Sequence, residues 1–358
     1  MPIPPLHRLP LARFDQPDIL KQLALASRRL AELKGVAASM PNEAMLINTL
    51  SLREAKDSSA IESIVTTHDQ LYRDEYTANA ANSGGAAIKE VLRYRQALHA
   101  GLSHVRQEGL LTLATVLHVQ RVLECNDAGL RKLPGTALRD TRGRVVYEPP
   151  QSAHDVQRLM GELERFMHNE PPVDLDPLIK MALIHHQFES IHPFYDGNGR
   201  TGRIINVLYL VKEGLLDTPV LYLSRHIVRT KARYYELLQA VRERDAWEDW
   251  VLYMLQAVEA TATDGIAVIA AIKSLLMDVK HRIRENYKFY SQDLINNLFS
   301  HPYTKIEFIQ RDLGVTRVTA TKYLNLLVED GFLEKQRAGT NNYYVNRPLF
   351  DILSGGEP

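Results

Sequence analysis

The stretch Ile191-His192-Pro193-Phe194-Tyr195-Asp196-Gly197-Asn198-Gly199-Arg200-Thr201-Gly202-Arg203 decides how this chain is read. Upstream, Leu178, Met181, Leu183, Ile184 and Phe188 recur at roughly helical spacing; downstream, Ile204, Ile205, Val207, Leu208 and Leu210 form a second apolar run that ends at Gly214. Both flanks therefore read as buried helices, interrupted by Pro193 and the Gly197/Gly199 pair. A turn whose amides point inward at the start of a helix binds anions, and the helix dipole reinforces the effect. Phosphate is the natural occupant. Asp196 cannot favour an anion by itself, so its place beside such a cradle points to a divalent cation, magnesium above all, shared with phosphate oxygens. Arg200 and Arg203 leave the emerging helix on one side and offer planar forks to phosphate. His192 has a near-neutral reference pKa and can take a proton from an incoming hydroxyl.

His192 to Arg203 resembles the full signature of the Fic family, His-x-Phe-x-Asp/Glu-Gly-Asn-Gly-Arg-x-x-Arg, with every defining position filled. The resemblance implies a mostly α fold: a Fic-type helical core with a short β-hairpin flap, an N-terminal helical region and a C-terminal winged-helix domain. It implies transfer of AMP from ATP to a Tyr, Thr or Ser hydroxyl of a protein, the chain itself included, with release of pyrophosphate. In that scheme His192 deprotonates the hydroxyl and Asp196 holds Mg2+. Gly197, Asn198 and Gly199 bind the α- and β-phosphates, Arg200 and Arg203 secure the β- and γ-phosphates, and Phe194 anchors the loop. Relatives that phosphorylate have a degraded glycine and second-arginine region, which this chain keeps intact.

Further upstream, Ser58-Ser59-Ala60-Ile61-Glu62-Ser63 admits two readings. Locally, Ser59 and Glu62 have the spacing of a capping box at a helix start. Alternatively, Ser58 and Glu62 lie one turn apart on one helix face. They then resemble the family's inhibitory motif, Ser/Thr-x-x-x-Glu-Gly/Asn, in which the glutamate pairs with the second arginine, here Arg203, and blocks productive ATP binding. The intact signature downstream favours inhibition; Ser63 stands where the family has Gly or Asn.

The 358 residues, 45% of them apolar and 24% charged, allow two or three domains with a substantial core. The boundaries are placed at 1–86 (N-terminal helical region with the inhibitory helix), 87–288 (catalytic core) and 289–358 (winged helix). A formal net charge of zero gives no bulk attraction to nucleic acid or anionic membrane. One cysteine, Cys125, excludes an internal disulfide framework and suits a reducing cytosol. No apolar run of membrane-spanning length and no secretory leader are read, so a soluble cytoplasmic protein is expected.

Residues 1–16 read as an extended, proline-broken strap, Ile19 to Leu33 and Met45 to Ala55 as helices, and Tyr76 to Ala87 as a loop. Helices follow at Ile88 to Ala100 and Leu111 to Glu124. Thr136 to Tyr147 reads as two short strands around a turn. By resemblance this is the flap, whose edge at Val145, Val146 and Tyr147 aligns the target by strand addition. His185, His186, Glu189 and His192 lack the spacing of a zinc site, so the first two are read as packing or supporting residues. Tyr234 and Tyr235 offer π-faces to adenine, but neighbours on a helix point apart, so at most one contacts base; Tyr234 is taken for that role. Trp247 to Ala257 and Ile266 to Tyr287 continue the helical pattern.

Helix, turn, helix and hairpin from Lys305 to Val345 resemble a winged helix, with Thr316, Arg317, Thr319, Thr321 and Lys322 on the presumed recognition helix. Its acids and bases balance, so DNA binding is less favoured than protein docking or support of a homodimer. Two alternatives stand beside the autoinhibited transferase: a nucleotide-sensing transcriptional regulator, and removal of AMP from a modified protein with Glu62 positioning water.

Overall fold

The computed structural model describes residues 3–74, 85–140, 142–338 and 341–355, and helix dominates them. The N-terminal strap is more ordered than an extended reading allows. It makes two 3-10 turns, Leu6–Arg8 and Leu11–Phe14, that bury Leu6 and Phe14, and Arg13 ties it down to Asp245 and Glu248. α1 (Pro17–Ala38) begins on a proline, whose missing amide costs nothing in a first turn. α2 (Glu43–Ile61) is capped by the Asn42 side chain and runs past Ala55. Its last turns carry the small buried residues Ala55, Ser58 and Ser59, which let it lie close to neighbouring helices. The capping-box reading fails here: Ser59 is inside the helix, buried, with its hydroxyl unpaired.

α3 (His68–Asp74) precedes a segment in which most of the expected loop, residues 75–84, lies outside the described residues. Then come α4 (Ala86–Glu108), α5 (Leu113–Glu124) and a hairpin of β1 (Leu138–Arg139) and β2 (Val145–Tyr147), antiparallel with a register shift. α6 (Ala153–Met167) packs on α7 (Pro177–Ile191), which forms an antiparallel pair with α8 (Asn198–Lys212) around the motif turn. Every residue of α7 from Leu178 to Ile191 is buried, as befits a helix apolar on nearly all sides.

α9 (Ser224–Arg229) and α10 (Lys231–Arg244) lead into α11 (Trp247–Asn286), one continuous helix of 40 residues where two segments were expected. Gly265, in the gap between those segments, marks a close approach and not a break: a Cβ there would lie 3.1 Å from the Leu33 side chain of α1. Over 18 residues α11 reaches a mean hydropathy of 1.5, long and apolar enough to cross a membrane by composition, contrary to the sequence reading. In this fold it packs along α1, and its Glu259 accepts a hydrogen bond from Gln22 at 2.7 Å.

The C-terminal unit comprises α12 (Gln292–Ser300), β3 (Tyr303–Thr304), α13 (Ile306–Leu313), α14 (Arg317–Glu329), β4 (Glu334–Ala338), β5 (Asn341–Val345) and α15 (Arg347–Ser354). Its sheet runs β3-β5-β4, all antiparallel, with Tyr303 opposite Val345 and Lys335 opposite Tyr344. α12 and α15 rest directly on α2, and Tyr303 donates to Asp69 at 2.5 Å.

Candidate active site

α7 ends at His192, which adopts a left-handed backbone (φ 49°) and donates its amide to Phe188 O at 2.9 Å. That conformation is uncommon for a residue with a side chain, and three neighbours brace it. Arg131 Nε donates to His192 O at 2.8 Å and its Nη2 to Ile191 O at 3.2 Å and to Pro150 O, while the Arg131 amide bonds Pro193 O. Phe194 is fully buried, and Asn198 clamps both its main-chain groups at 2.9 Å. The Asn198 side chain is thus spent on the loop itself. Tyr195, half-exposed, accepts from the amides of Lys132 and Leu133 at 2.9 and 3.2 Å. The His192 Nδ1 atom is buried without a partner, and burial, with the Arg242 and Arg131 charges behind it, lowers its pKa to about 4. The imidazole is therefore neutral at pH 7.

Gly197 (φ 75°) turns the chain into α8, with its amide donating to Asp196 Oδ1 at 2.7 Å. The Asp196 side chain is 79% exposed. Among the described residues no cluster of three or more His, Cys, Asp or Glu could hold a metal unaided. An accessible carboxylate at the turn, 3.8 Å from Arg200 and otherwise open, fits magnesium, which binds through one or two carboxylates plus substrate phosphates.

The two arginines lie at the floor of this cradle, each side chain only 2% exposed. Arg203 Nε donates to Ser58 Oγ at 2.7 Å, and its Nη2 to Ser58 O at 3.0 Å and Glu62 Oε1 at 2.8 Å. Burial works against its charge, but Glu62, with other groups including Glu189 behind it, outweighs burial and raises its pKa. Arg200 faces Glu62 Oε2 at 2.8 Å, Glu124 Oε1 at 3.0 Å and Glu90. One glutamate thus forks between both guanidiniums. It also overhangs the first turn of α8: a Cβ on Gly199 would lie 2.7 Å from Glu62 Oε1.

The end of α2 explains how Glu62 is presented. Ile64 N bonds Ser59 O and Ser63 N bonds Ala60 O, both at 3.0 Å, with Ser63 left-handed (φ 68°), a Schellman termination. A left-handed residue after the glutamate is most readily Gly or Asn; serine adopts it here.

The structure corrects one assignment. Tyr234 is 2% exposed, and its hydroxyl and the His185 Nε2 atom lie 2.8 Å apart, deep in the core beside Trp250. It cannot stack on a base without unfolding. Tyr235 is half-exposed and lies close enough to Arg203, Glu189 and Glu62 to feel their charge. His185 also meets Asn206, and His186 packs edge-on to Trp247, so both are packing residues. Sequence reasoning also missed Arg131, Glu90, Glu124 and Arg242: none is in a motif, and each reaches the site through tertiary packing.

On the flap, Val145 and Val146 are 44% and 43% exposed, but Tyr147 turns inward. A cavity of about 670 Å³ opens alongside, lined by Val146, Tyr147, Glu148, Ser190, Gln239 and Arg242 among others. Gln239 Nε2 donates to Val146 O at 3.0 Å, so α10 closes on the hairpin.

Comparison with known proteins matches three consecutive stretches. Residues 20–103 match the Fic/DOC family N-terminal model, 110–210 the Fic/DOC family model and 275–349 the C-terminal domain of SoFic-like protein adenylyltransferases. Relatives named protein adenylyltransferase Fic include one from Culex quinquefasciatus, 29% identical over 158 residues (44% of this chain, 29% of the relative). Another, from Drosophila melanogaster, is 31% identical over 129 residues (36% and 25%). The chain therefore matches less than a third of these relatives' length. A Fic family protein from Desulfovibrio desulfuricans G20 has the same fold, with a TM-score of 0.58 at 22% identity, covering 92% of this chain and 96% of that one. Fic-1 from C. elegans gives 0.55 at 20% identity, covering 72% of each chain. The unbroken signature on the α7–α8 turn, the helical core around it and the three successive matches place the chain in the Fic/DOC family.

Proposed function

We propose that this protein transfers AMP from ATP to a hydroxyl of a protein, itself included, and that Glu62 restrains the reaction. The observation that carries the reading is the state of the two arginines. Both guanidiniums that the cradle offers to phosphate are buried and bound to one carboxylate, which hangs over Gly199 beside a neutral histidine whose Nδ1 has no partner.

In the reaction, the hydroxyl oxygen attacks the α-phosphorus as His192 takes its proton, and the bond from that phosphorus to the pyrophosphate oxygen breaks. A pKa near 4 makes His192 a weak base; phosphate charge beside it raises that basicity. The amides at the start of α8 and the arginine forks stabilise charge that grows on the phosphate oxygens. Asp196 would hold magnesium, which neutralises the leaving pyrophosphate. For Arg203 to reach a γ-phosphate, Glu62 must withdraw, because a second anion beside the same fork is repelled. Tyr235 replaces Tyr234 as the ring available to a base. The target binds as an added strand on the flap edge at Val145 and Val146, with Tyr147 behind it. The lone, exposed Cys125 suits work in a reducing cytosol.

The test is incubation of the purified protein with labelled ATP and magnesium, followed by mapping of the modified residue by mass spectrometry. His192→Ala is expected to cut label transfer by about 100-fold or more. Transfer that persists undiminished would remove His192 from the chemistry and the reading with it.

A further inference from the structure

A hairpin of two and three residues cannot hold its own position. Gln239 holds it to α10 at Val146 O, and a clasp ties it to the turn that carries His192. The Tyr147 hydroxyl donates to Ser190 O at 2.9 Å, two residues before His192. The Arg242 guanidinium, contributed by the last turn of α10, lies 4.0 Å from the centroid of the Tyr147 ring. From there it donates through Nε to Ser190 Oγ at 3.1 Å and through Nη2 to Glu189 O at 3.2 Å.

Strand, catalytic turn and α10 therefore meet at one half-buried cation. Its hydrogen-bond partners are a hydroxyl and a main-chain carbonyl, with no carboxylate among them. The Glu189 carboxylate lies near enough to offset part of the cost of desolvating that charge, and a methyl-rich side chain would fill the space without such a cost. The planar fork supplies what such a side chain lacks: one face stacks on the flap while the edge grips the terminal carbonyl region of α7. The clasp borders the 670 Å³ cavity that runs beside the flap.

We propose that Arg242 and Tyr147 are positioning residues that fix the height of the flap edge relative to His192, and so decide which hydroxyl of a docked segment meets the imidazole. This rests on the adenylyltransferase reading above. Main-chain pairing along β2 sets only the direction of a target strand; one residue of slip carries its hydroxyl to the other face. A rigid link between Tyr147 and the His192 turn removes that freedom.

Arg242→Lys keeps the charge and loses the stacking fork, and Tyr147→Phe keeps the ring and loses the hydroxyl bond. Both are made in a Glu62→Gly background and compared with that parent. With Arg242→Lys, nucleotide Kd is expected to stay within about twofold while kcat/KM for transfer to protein falls roughly 100-fold, chiefly through the target KM. Mapping should find label spread over more acceptor residues than in the parent, and Tyr147→Phe should show the same change more weakly. The second arm is amide hydrogen exchange across Val145 to Tyr147, which should quicken in Arg242→Lys. Unchanged exchange, or transfer with the parent's rate and acceptor, overturns the clasp, as does an equal loss of nucleotide binding and transfer. If the parent transfers no label, the adenylyltransferase reading falls, and the exchange arm alone still decides whether the clasp holds the flap.

Discussion

Arg203 and Arg200 leave α8 one turn apart, are equally buried, and are restrained by different means. Arg203 is held by the last turn of one helix, through Ser58 and Glu62, in well-formed hydrogen bonds. Arg200 faces the carboxylates of Glu62, Glu90, Glu124 and, at 3.8 Å, Asp196; its Nε, although 2.8 Å from Glu62, has no hydrogen-bond geometry. The first is a specific set of contacts, a latch in the proposed scheme, that depends on two residues. The second is a diffuse field of negative charge, of which any one member is expendable.

The sharpest way to break this contrast is Glu62→Gly. Among the described residues it removes the one carboxylate paired with Arg203 but one of four facing Arg200. Leaving a buried guanidinium short of its anion costs about 3–5 kcal/mol. The ATP-free variant should therefore melt earlier than the parent, recover more when ATP and magnesium are added, and label itself at least about tenfold faster. Equal melting shifts with ATP and equal labelling would show that Glu62 is not a latch.

A smaller effect is expected from Glu124→Gln. Glu124 is half-buried against Gly197; burial raises its pKa, with the Arg200 charge opposing. Its neutral replacement leaves Arg200 the carboxylates of Glu62, Glu90 and Asp196, so ATP affinity should rise only about two- to fivefold, the gain of one partly screened charge. A gain matching that of Glu62→Gly would erase the distinction between latch and field.

The last effect is one of pH-dependent stability and concerns the helix that presents Glu62. Glu54, on α2 two turns before Glu62, accepts from the hydroxyls of Tyr94 and Ser224 and is fully buried; burial lifts its pKa from 4.5 to about 8. Below 4.5 it is protonated whether folded or not, and above that value only the folded form keeps its proton. Its contribution to stability therefore declines as pH rises from 4.5 to 8, by up to about 1.4 kcal/mol per unit. Glu54→Gln should flatten that slope in melting curves taken from pH 5 to 8. An unchanged slope would mean that other groups dominate the titration.

Much of the site was legible because it is local. His192, Asp196, the glycines and both arginines fall within one turn and the start of one helix, and chain geometry alone brings them together. The long helices were equally readable from apolar periodicity. Local and tertiary preferences compete elsewhere: Ser59 and Glu62 also satisfy a helix-start pattern, the alternative not favoured, and burial of small residues carries α2 through them to a Schellman end. Gly265 looks like a break and is a contact with α1. For the tyrosine pair, period 3.6 requires that the two point apart, while only the position of Trp250 and His185 settles that Tyr234 is the inward one.

By itself, then, the sequence determined the glycine-rich turn between two helices, the family and the helical core, because these follow from neighbours along the chain and from side-chain periodicity. Tertiary structure alone decided that Glu62 forks between both arginines, that Arg131 and Arg242 brace the histidine and its flap, and that Glu90 and Glu124 surround Arg200. Those partners are separated by tens to over a hundred residues. No pattern along a chain records such pairings; packing the helices into one core does.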